Sequence, residues 1–315
     1  MNKDIVKIIN EVEKVIVGKR VVIKKILTTI LADGHILLDD VPGIGKTSMA
    51  IALSRTLGLK FGRIQFTPDV LPSDITGFSM YNKSNDAFVY KPGIAVGVNL
   101  LLGDEINRTS SKTQSALLEA MEEGQVTIDG ESHPLKTPFI VIATQNNVGT
   151  AGTQLLPYAQ LDRFLIKLSI GYPDRMSEME VIRGRQTANP VEDITCIASV
   201  DDVIRMQNEV LNTTVMDSIV DYIARLAEAS RNHELLELGI SPRGSLFINK
   251  MAKAKAYITG RDYAIPEDVQ SVFNDVCSHR IILSQTAKAK KVTAEQALST
   301  LLREVTVPDG RYTVI

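Results

Sequence analysis

Five short apolar runs, separated by stretches with helical spacing, constrain this chain more than any other feature. HILLD begins at 35, GRIQF at 62, NLLLGD at 99, FIVIAT at 139 and FLIKLS at 164. Short apolar strands that alternate with helical patterns imply a parallel sheet with helices on both faces. With 44% hydrophobic residues over 315 positions, the chain can fill such a core. After about Pro173 the strand signals stop, and apolar spacings of three and four predict helices beginning near Asp174, Asp201, Val215, Ser241 and Pro266. Ser241-Pro242-Arg243 reads as a helix start, because serine caps free amides and proline is tolerated in the first turn. The expected fold is an α/β domain over residues 1–190 with a parallel five-stranded sheet, followed by a smaller all-α domain over 191–315. The N-terminal MNKDIVKIINEVEKVIVGK reads as an amphipathic helix.

Two insertions interrupt the sheet domain. The segment from about Thr76 to Gly97 is too long for a simple connection between the second and third strands. VTIDGESHPLK, from Val126, carries an Asp129-Gly130 pair and reads as a hairpin ahead of the fourth strand.

The first run leads into LDDVPGIGKTSMA, Leu38 to Ala50. Gly43 and Gly45 stand where backbone must approach an anion closely, and a helix-compatible run follows from Lys46. In a phosphate-binding loop the helix-start amides would cradle phosphates, Lys46 would reach the β and γ groups, and the Thr47 hydroxyl would sit on Mg²⁺. Asp40 occupies the position of the usual first glycine, which leaves an accidental Gly-Lys-Thr as the competing explanation.

The third run ends in two adjacent carboxylates, Asp104 and Glu105, and strand ends of a parallel sheet face the ligand crevice. Asp104 is placed to hold Mg²⁺ through its water shell, and Glu105 to act as general base on an attacking water. Paired acids after a strand are otherwise a surface feature. The fourth run ends in Gln145-Asn146, where the Asn146 amide could orient water near a γ-phosphate, or could simply form a turn.

A net charge of −2 gives no overall electrostatic footprint for nucleic acid. The one basic cluster, Lys288, Lys290 and Lys291, reads as a solvated helix face. Cys196 and Cys277 are far apart and accompanied by only four histidines, so neither a disulfide framework nor a zinc site is indicated, in keeping with a reducing, cytoplasmic location. The longest apolar run, Ile94 to Leu102, contains Asn99 and is far short of the roughly 20 residues of a membrane span; no membrane anchor is expected.

DVPGIGKT, GDEINR, KTQSALLEAMEEGQVTIDG, VIATQN, AQLDRF and ISPRG follow one another as in AAA+ ATPases of the MoxR family. The chain resembles that family over nearly its whole length; VTVPDG near the end and GRDYAIPEDV are similar to its closing segments. The family's phosphate loop commonly begins Asp-Val-Pro-Gly, so Asp40 is the expected form. The resemblance implies an αβα P-loop core with a helical lid, binding ATP or ADP with Mg²⁺, in a homo-oligomeric ring that is typically hexameric. Pro42, Gly43, Ile44, Gly45, Lys46, Thr47 and Ser48 then form Walker A, Asp104 and Glu105 Walker B, and Asn146 sensor 1. Arg243 matches sensor 2, expected to contact the γ-phosphate of its own chain. Arg163 matches the arginine finger that reaches a neighbour's nucleotide, with an internal pair to Asp162 or another acid as the alternative; Arg108 is a second candidate. Val17 and Gly18 resemble the family's adenine-side Val-Gly-Gln, although Lys19 replaces the glutamine. Asn147 stands where the family often has proline, and the loop NVGTAGTQLLP lacks its acidic residues.

The inserts near Tyr81 to Gly93 and near Asp129 match the helix-2 insert and the pre-sensor-1 hairpin of the clade, for client contact or for packing between subunits. The implied function is ATP-driven remodelling of a client enzyme with a von Willebrand factor A domain protein. A nucleic-acid motor would need a basic, aromatic pore, whereas the hairpin VTIDGESHPLK contains two acids. A metal-chelatase subunit and a catalytically dead scaffold are the other readings; the latter conflicts with the complete set of catalytic side chains.

Overall fold

The computed structural model describes residues 2–84, 86–146, 156–184 and 190–308. Helices α1 (Lys3–Glu13) and α2 (Arg20–Leu31) lead into β1 (Ile36–Asp39), α3 (Lys46–Thr56), β2 (Phe61–Gln65) and α4 (Pro72–Thr76). A hairpin of β3 (Gly77–Asn82) and β4 (Ala87–Pro92) precedes β5 (Leu100–Asp104) and α5 (Ser111–Glu123). A second hairpin, β6 (Gln125–Ile128) and β7 (Glu131–Pro134), leads to β8 (Ile140–Gln145), α6 (Tyr158–Leu161), β9 (Ile166–Leu168) and α7 (Arg175–Gly184). The second half holds α8 (Val200–Leu211), α9 (Asp217–Arg231), β10 (Leu236–Leu238), α10 (Pro242–Thr259), α11 (Pro266–Cys277), β11 (Ile282–Leu283), α12 (Gln285–Ala289) and α13 (Ala294–Glu304).

The five expected strands form one parallel sheet in the order β2-β5-β8-β1-β9. Every residue of β5 and β8 is buried, as strands covered on both faces require. Strand side chains alternate between faces, and the two cores follow that alternation. Ile36, Leu38, Leu100, Leu102, Ile140 and Ile142 face one core with helices α1 to α3, while Leu37, Leu101, Val141 and Ala143 face the other with Leu117, Leu118 and Phe164. The first core continues into the helical half through Ile248, Met251, Val272 and Phe273, so lid and sheet share one apolar body.

The long insertion is the β3–β4 hairpin. The turn at Asp129-Gly130 has positive φ at both residues, 52° and 85°, which a two-residue type I′ hairpin demands. The helical half adds a short antiparallel ribbon, β10 with β11, which the sequence did not announce: strands of three and two residues are too short to display a period. Among the described residues, no helix is long and apolar enough to cross a membrane.

Candidate active site

Because the sheet is parallel, its carboxyl ends gather the loops after β1, β5 and β8 at one edge. A cavity of about 350 Å³ opens there, lined by Pro42, Gly43, Gly45, Lys46, Thr47, Ser48, Arg63, Gln65, Asp104, Glu105, Thr144 and Asn146. Gly43 and Gly45 adopt φ of +84° and +95°, a region L-residues avoid, and Gly45 caps α3. A side chain on Gly43 would point into open space, so the bare backbone leaves the helix-start amides accessible. Ile44 packs against the sheet core.

Asp40 explains why the loop dispenses with its first glycine. Its carboxylate accepts hydrogen bonds from Ser169 Oγ at 2.7 Å and from the backbone N–H groups of Ile170 and Gly171, which ties the phosphate loop to the chain leaving β9. Its carbonyl accepts from Lys46 Nζ at 2.7 Å. The turn containing Val17 and Gly18 lies beside the loop, since Ile16 Cδ1 is 3.8 Å from where a Gly45 Cβ would stand. Lys19 Nζ donates to the Tyr172 carbonyl at 2.7 Å, so the residue that replaces glutamine ties this turn to the segment after β9.

Lys46, Asn146 and Glu105 form a relay. Lys46 Nζ donates to Asn146 Oδ1 at 2.9 Å, and Asn146 Nδ2 donates to Glu105 Oε1 at 2.6 Å. Lysine only donates and a carboxylate only accepts, so the orientation of the Asn146 amide is fixed by its neighbours. Asn107 Nδ2 donates to the Asn146 carbonyl at 3.3 Å and holds the backbone as well. Burial pushes the Lys46 ammonium below the usual lysine range, opposed by the carboxylates of Asp40, Asp104, Asp39 and Glu105.

Glu105 sits in the left-handed region, φ 57° and ψ 50°, a conformation that costs about 1–3 kcal/mol and concentrates at functional sites. Thr144 bridges the two acids: its hydroxyl accepts from Glu105 N–H at 2.9 Å and donates to Asp104 Oδ1 at 3.3 Å. The other Glu105 oxygen, Oε2, receives Gln65 Nε2 at 3.1 Å and Arg108 Nη1 at 2.7 Å. Arg108 is thereby placed on the phosphate-loop side, against its own chain's glutamate. Arg63 Nε pairs with Asp104 Oδ2 at 2.8 Å. Gln65, Arg63 and Thr144 carry no motif, although Gln65 ends β2 and Thr144 stands one residue before the end of β8.

Thr47 and Asp104 bring hard oxygen donors to one cavity, the donor set that suits Mg²⁺. Among the described residues, no group of three His, Cys, Asp or Glu could hold a metal by itself, so an ion here would complete its shell with water and nucleotide oxygens. The amide cradle and Lys46 fit the phosphates of a nucleotide in the same way.

Arg163 and Arg243 lie elsewhere. With Glu122 they line a second cavity of about 410 Å³, whose wall includes Asp33 to His35 before β1, Thr137 to Phe139 before β8, and Leu165 before β9. All these residues precede strands, so this cavity opens at the amino edge of the sheet. The six residues of β8 separate the two edges by about 20 Å at 3.3 Å per residue. Arg163 Nε pairs with Glu122 Oε2 at 3.1 Å, and Arg243 Nη2 with Glu122 Oε1. The internal pair left open for Arg163 is therefore present, with Glu122 rather than Asp162. The expected place of Arg243 is its own chain's γ-phosphate; here Ser241, which caps α10, bonds Asp162 of the loop before β9, and Arg243 lies at the amino edge of the sheet. The loop after Asn146, including Asn147, lies outside the described residues, as does the end of VTVPDG.

A parallel sheet with a phosphate loop after β1, acids after β5 and a helical lid defines an AAA+ ATPase. Residues 35–166 match the ATPase family associated with various cellular activities (AAA), and residues 228–301 match the AAA lid domain. The chain is 47% identical to YeaC of Bacillus subtilis, over 98% of this chain and 96% of that protein. It is 40% identical to the chaperone MoxR1 of Mycobacterium tuberculosis, over 95% and 81% of the two. A solved structure from Cytophaga hutchinsonii, described as that of an ATPase, superposes with a TM-score of 0.88 at 41% identity, covering 96% of this chain and 94% of that one. The chain belongs to the MoxR family of AAA+ ATPases.

Proposed function

We propose that this chain hydrolyses ATP in a homo-oligomeric ring, hexameric by analogy with its family, and uses the cycle to remodel protein partners in the cytoplasm. The observation that carries the ring is the separation of two half-sites. Phosphate loop, acids and sensor Asn146 lie at the carboxyl edge of one sheet, while Arg163 and Arg243 lie at its amino edge, about 20 Å away. From there both arginines lie far from their own chain's phosphate loop, which supports a role at a neighbour's nucleotide. A neighbour that docks its carboxyl edge against this amino edge would receive both, released from Glu122 by the stronger attraction of phosphate oxygens.

In the assembled site, Lys46 and the amides of residues 43–48 bind the phosphates, and Val17 and Gly18 border the adenine. Thr47 and Asp104 would hold Mg²⁺, which would supply positive charge at the phosphates when bound. Glu105 Oε1 takes a proton from the attacking water, and Asn146 fixes that oxygen in place. Exchange between bound ATP and ADP changes the angle between core (1–190) and lid (191–315). A protein client suits the β3–β4 hairpin, which displays Phe78, Met80, Tyr81 and Phe88 to solvent, Phe88 at 74% exposure. Tyr90 stacks on His133 at 3.8 Å, so this hairpin packs against the β6–β7 hairpin. A von Willebrand factor A domain protein, together with the enzyme it helps to mature, is the expected partner pair.

The test is capture from native lysate on Glu105→Gln protein, which should bind ATP without cleaving it. Recovery of an adhesion-type metal-binding domain with its target enzyme supports the remodelling role; predominance of nuclease-sensitive nucleic acid overturns it in favour of a translocating motor.

A further inference from the structure

The loop that carries Arg163 is held from the lid chiefly by one guanidinium, beside contacts from Ser241 and His279. Arg280 follows α11, and its side chain is only 1% exposed. Its Nη2 donates to the carbonyls of Asp162, at 3.1 Å, and Phe164. Its Nη1 donates to the Leu165 carbonyl at 3.3 Å. Nε lies 2.9 Å from Asp162 Oδ1, an ionic contact in which the N–H does not point at the oxygen. The guanidinium also stacks 4.9 Å over the Phe247 ring of α10. One side chain thus reaches residues on both sides of Arg163, while Ser241 Oγ lies 3.3 Å from each Asp162 oxygen and His279 Nε2 lies 3.1 Å from the Phe164 carbonyl. Burying a guanidinium is costly unless it is paired; here three of its partners are backbone carbonyls of this loop, and Nη1 also meets the Val276 carbonyl and His279 Nε2 of its own segment. Nothing in the phosphate-loop cavity uses Arg280 or Asp162.

We propose that Arg280 is a positioning residue for Arg163: it fastens the finger loop to the lid, so that the lid angle of one subunit sets where its finger meets the neighbour's nucleotide. The inference rests on the reading that Arg163 acts on a neighbour. A planar fork that holds three carbonyls has no equivalent in lysine, whose ammonium is a point charge. Arg280→Lys therefore keeps the charge and loses the geometry, and Asp162→Asn keeps the Ser241 contact and loses the ionic one.

Both variants, made in the full chain, are assayed as pure rings and in mixtures with wild type, alongside Arg163→Ala. A misplacement of about 1 Å can lower a rate about a hundredfold, so kcat of Arg280→Lys is expected to fall about ten- to a hundredfold. Affinity for a fluorescent ATP analogue, which reports the variant's own phosphate loop, should stay within about twofold, and KM with it. In mixtures the loss should exceed dilution. The proposal is overturned if both variants keep wild-type kcat while Arg163→Ala does not, or if kcat falls only in step with melting temperature or nucleotide affinity. If Arg163→Ala itself loses activity only by dilution, the trans reading fails, and the positioning role falls with it.

Discussion

Arg163 and Arg243 hold the same carboxylate, one on each oxygen of Glu122. They come from different domains, the first from the loop before β9 and the second from the first turn of the lid helix α10. Their convergence places both arginines at the amino edge of the sheet, opposite the phosphate loop of the same chain.

Mixed rings test that placement for Arg243. Arg243→Ala should bind ATP normally and hydrolyse it poorly, with a loss of about 10³-fold or more if it contributes as trans arginines do. Lys46→Ala should fail to bind ATP but keep its arginines. Combined, the two inactive proteins should regain part of the wild-type rate, because an Arg243→Ala subunit can cleave ATP beside a Lys46→Ala neighbour. No recovery in rings shown to contain both chains would return Arg243 to its own site.

The Lys46–Asn146–Glu105 relay predicts a specific cost for an isosteric change. Asn146→Asp cannot donate to Glu105 Oε1 and sets a second carboxylate against it. Hydrolysis should drop about a hundredfold, in line with the range for a positioned proton-transfer group, while melting temperature changes little. Aspartate forms turns as readily as asparagine, so wild-type activity in this variant would mean that Asn146 only shapes the chain.

Asp40→Gly makes the loop match the more common motif, yet it should harm the protein. It removes acceptors for Ser169, Ile170 and Gly171 and frees the phosphate loop from the end of β9. Hydrogen bonds to a charged group are worth about 1.5–3 kcal/mol, so the midpoint of urea unfolding should fall and nucleotide affinity weaken. A variant as stable and as tight as wild type would show that Asp40 is incidental.

Two buried histidines should lower stability in acid. His35 Nδ1 accepts from Val141 N–H at 3.0 Å while Nε2 lies 3.1 Å from the Met121 carbonyl, an arrangement that requires the neutral ring. Burial pushes His35 below its ordinary value of 6.5 and His279 well below it. Below about pH 6.5 the unfolded chain takes up protons that the folded chain refuses. Their stabilisation is therefore complete above that value and is lost as pH falls toward the folded-state values, at about 1.4 kcal/mol for each unit of depression titrated. Urea midpoints should decline between pH 7 and pH 5.5, above the carboxylate range, and less steeply in His35→Gln. Equal slopes for the two proteins would refute the assignment to His35.

Much of the carboxyl-edge site is legible because its parts are local. Lys46 and Thr47 follow their glycines directly, and Asp104, Glu105 and Asn146 end apolar runs whose length and burial identify them as central strands. Gln65 at the end of β2 and Thr144 one residue before the end of β8 carry no motif, so only their distances to Glu105 and Asp104 reveal them.

The sequence by itself determined the strands, the phosphate loop, the acids and the lid helices, because periodicity, capping and loop chemistry act over a few residues. The tertiary structure decided which edge of the sheet Arg163 and Arg243 occupy, that Glu122 receives both, and that Arg280 holds the loop carrying Arg163. Those contacts join residues from separate elements, and they exist only because the lid packs on the core with one face of α10 and the end of α11 against the loop before β9. No short-range pattern encodes that docking, since it depends on how two apolar surfaces fit once the strands have set their register.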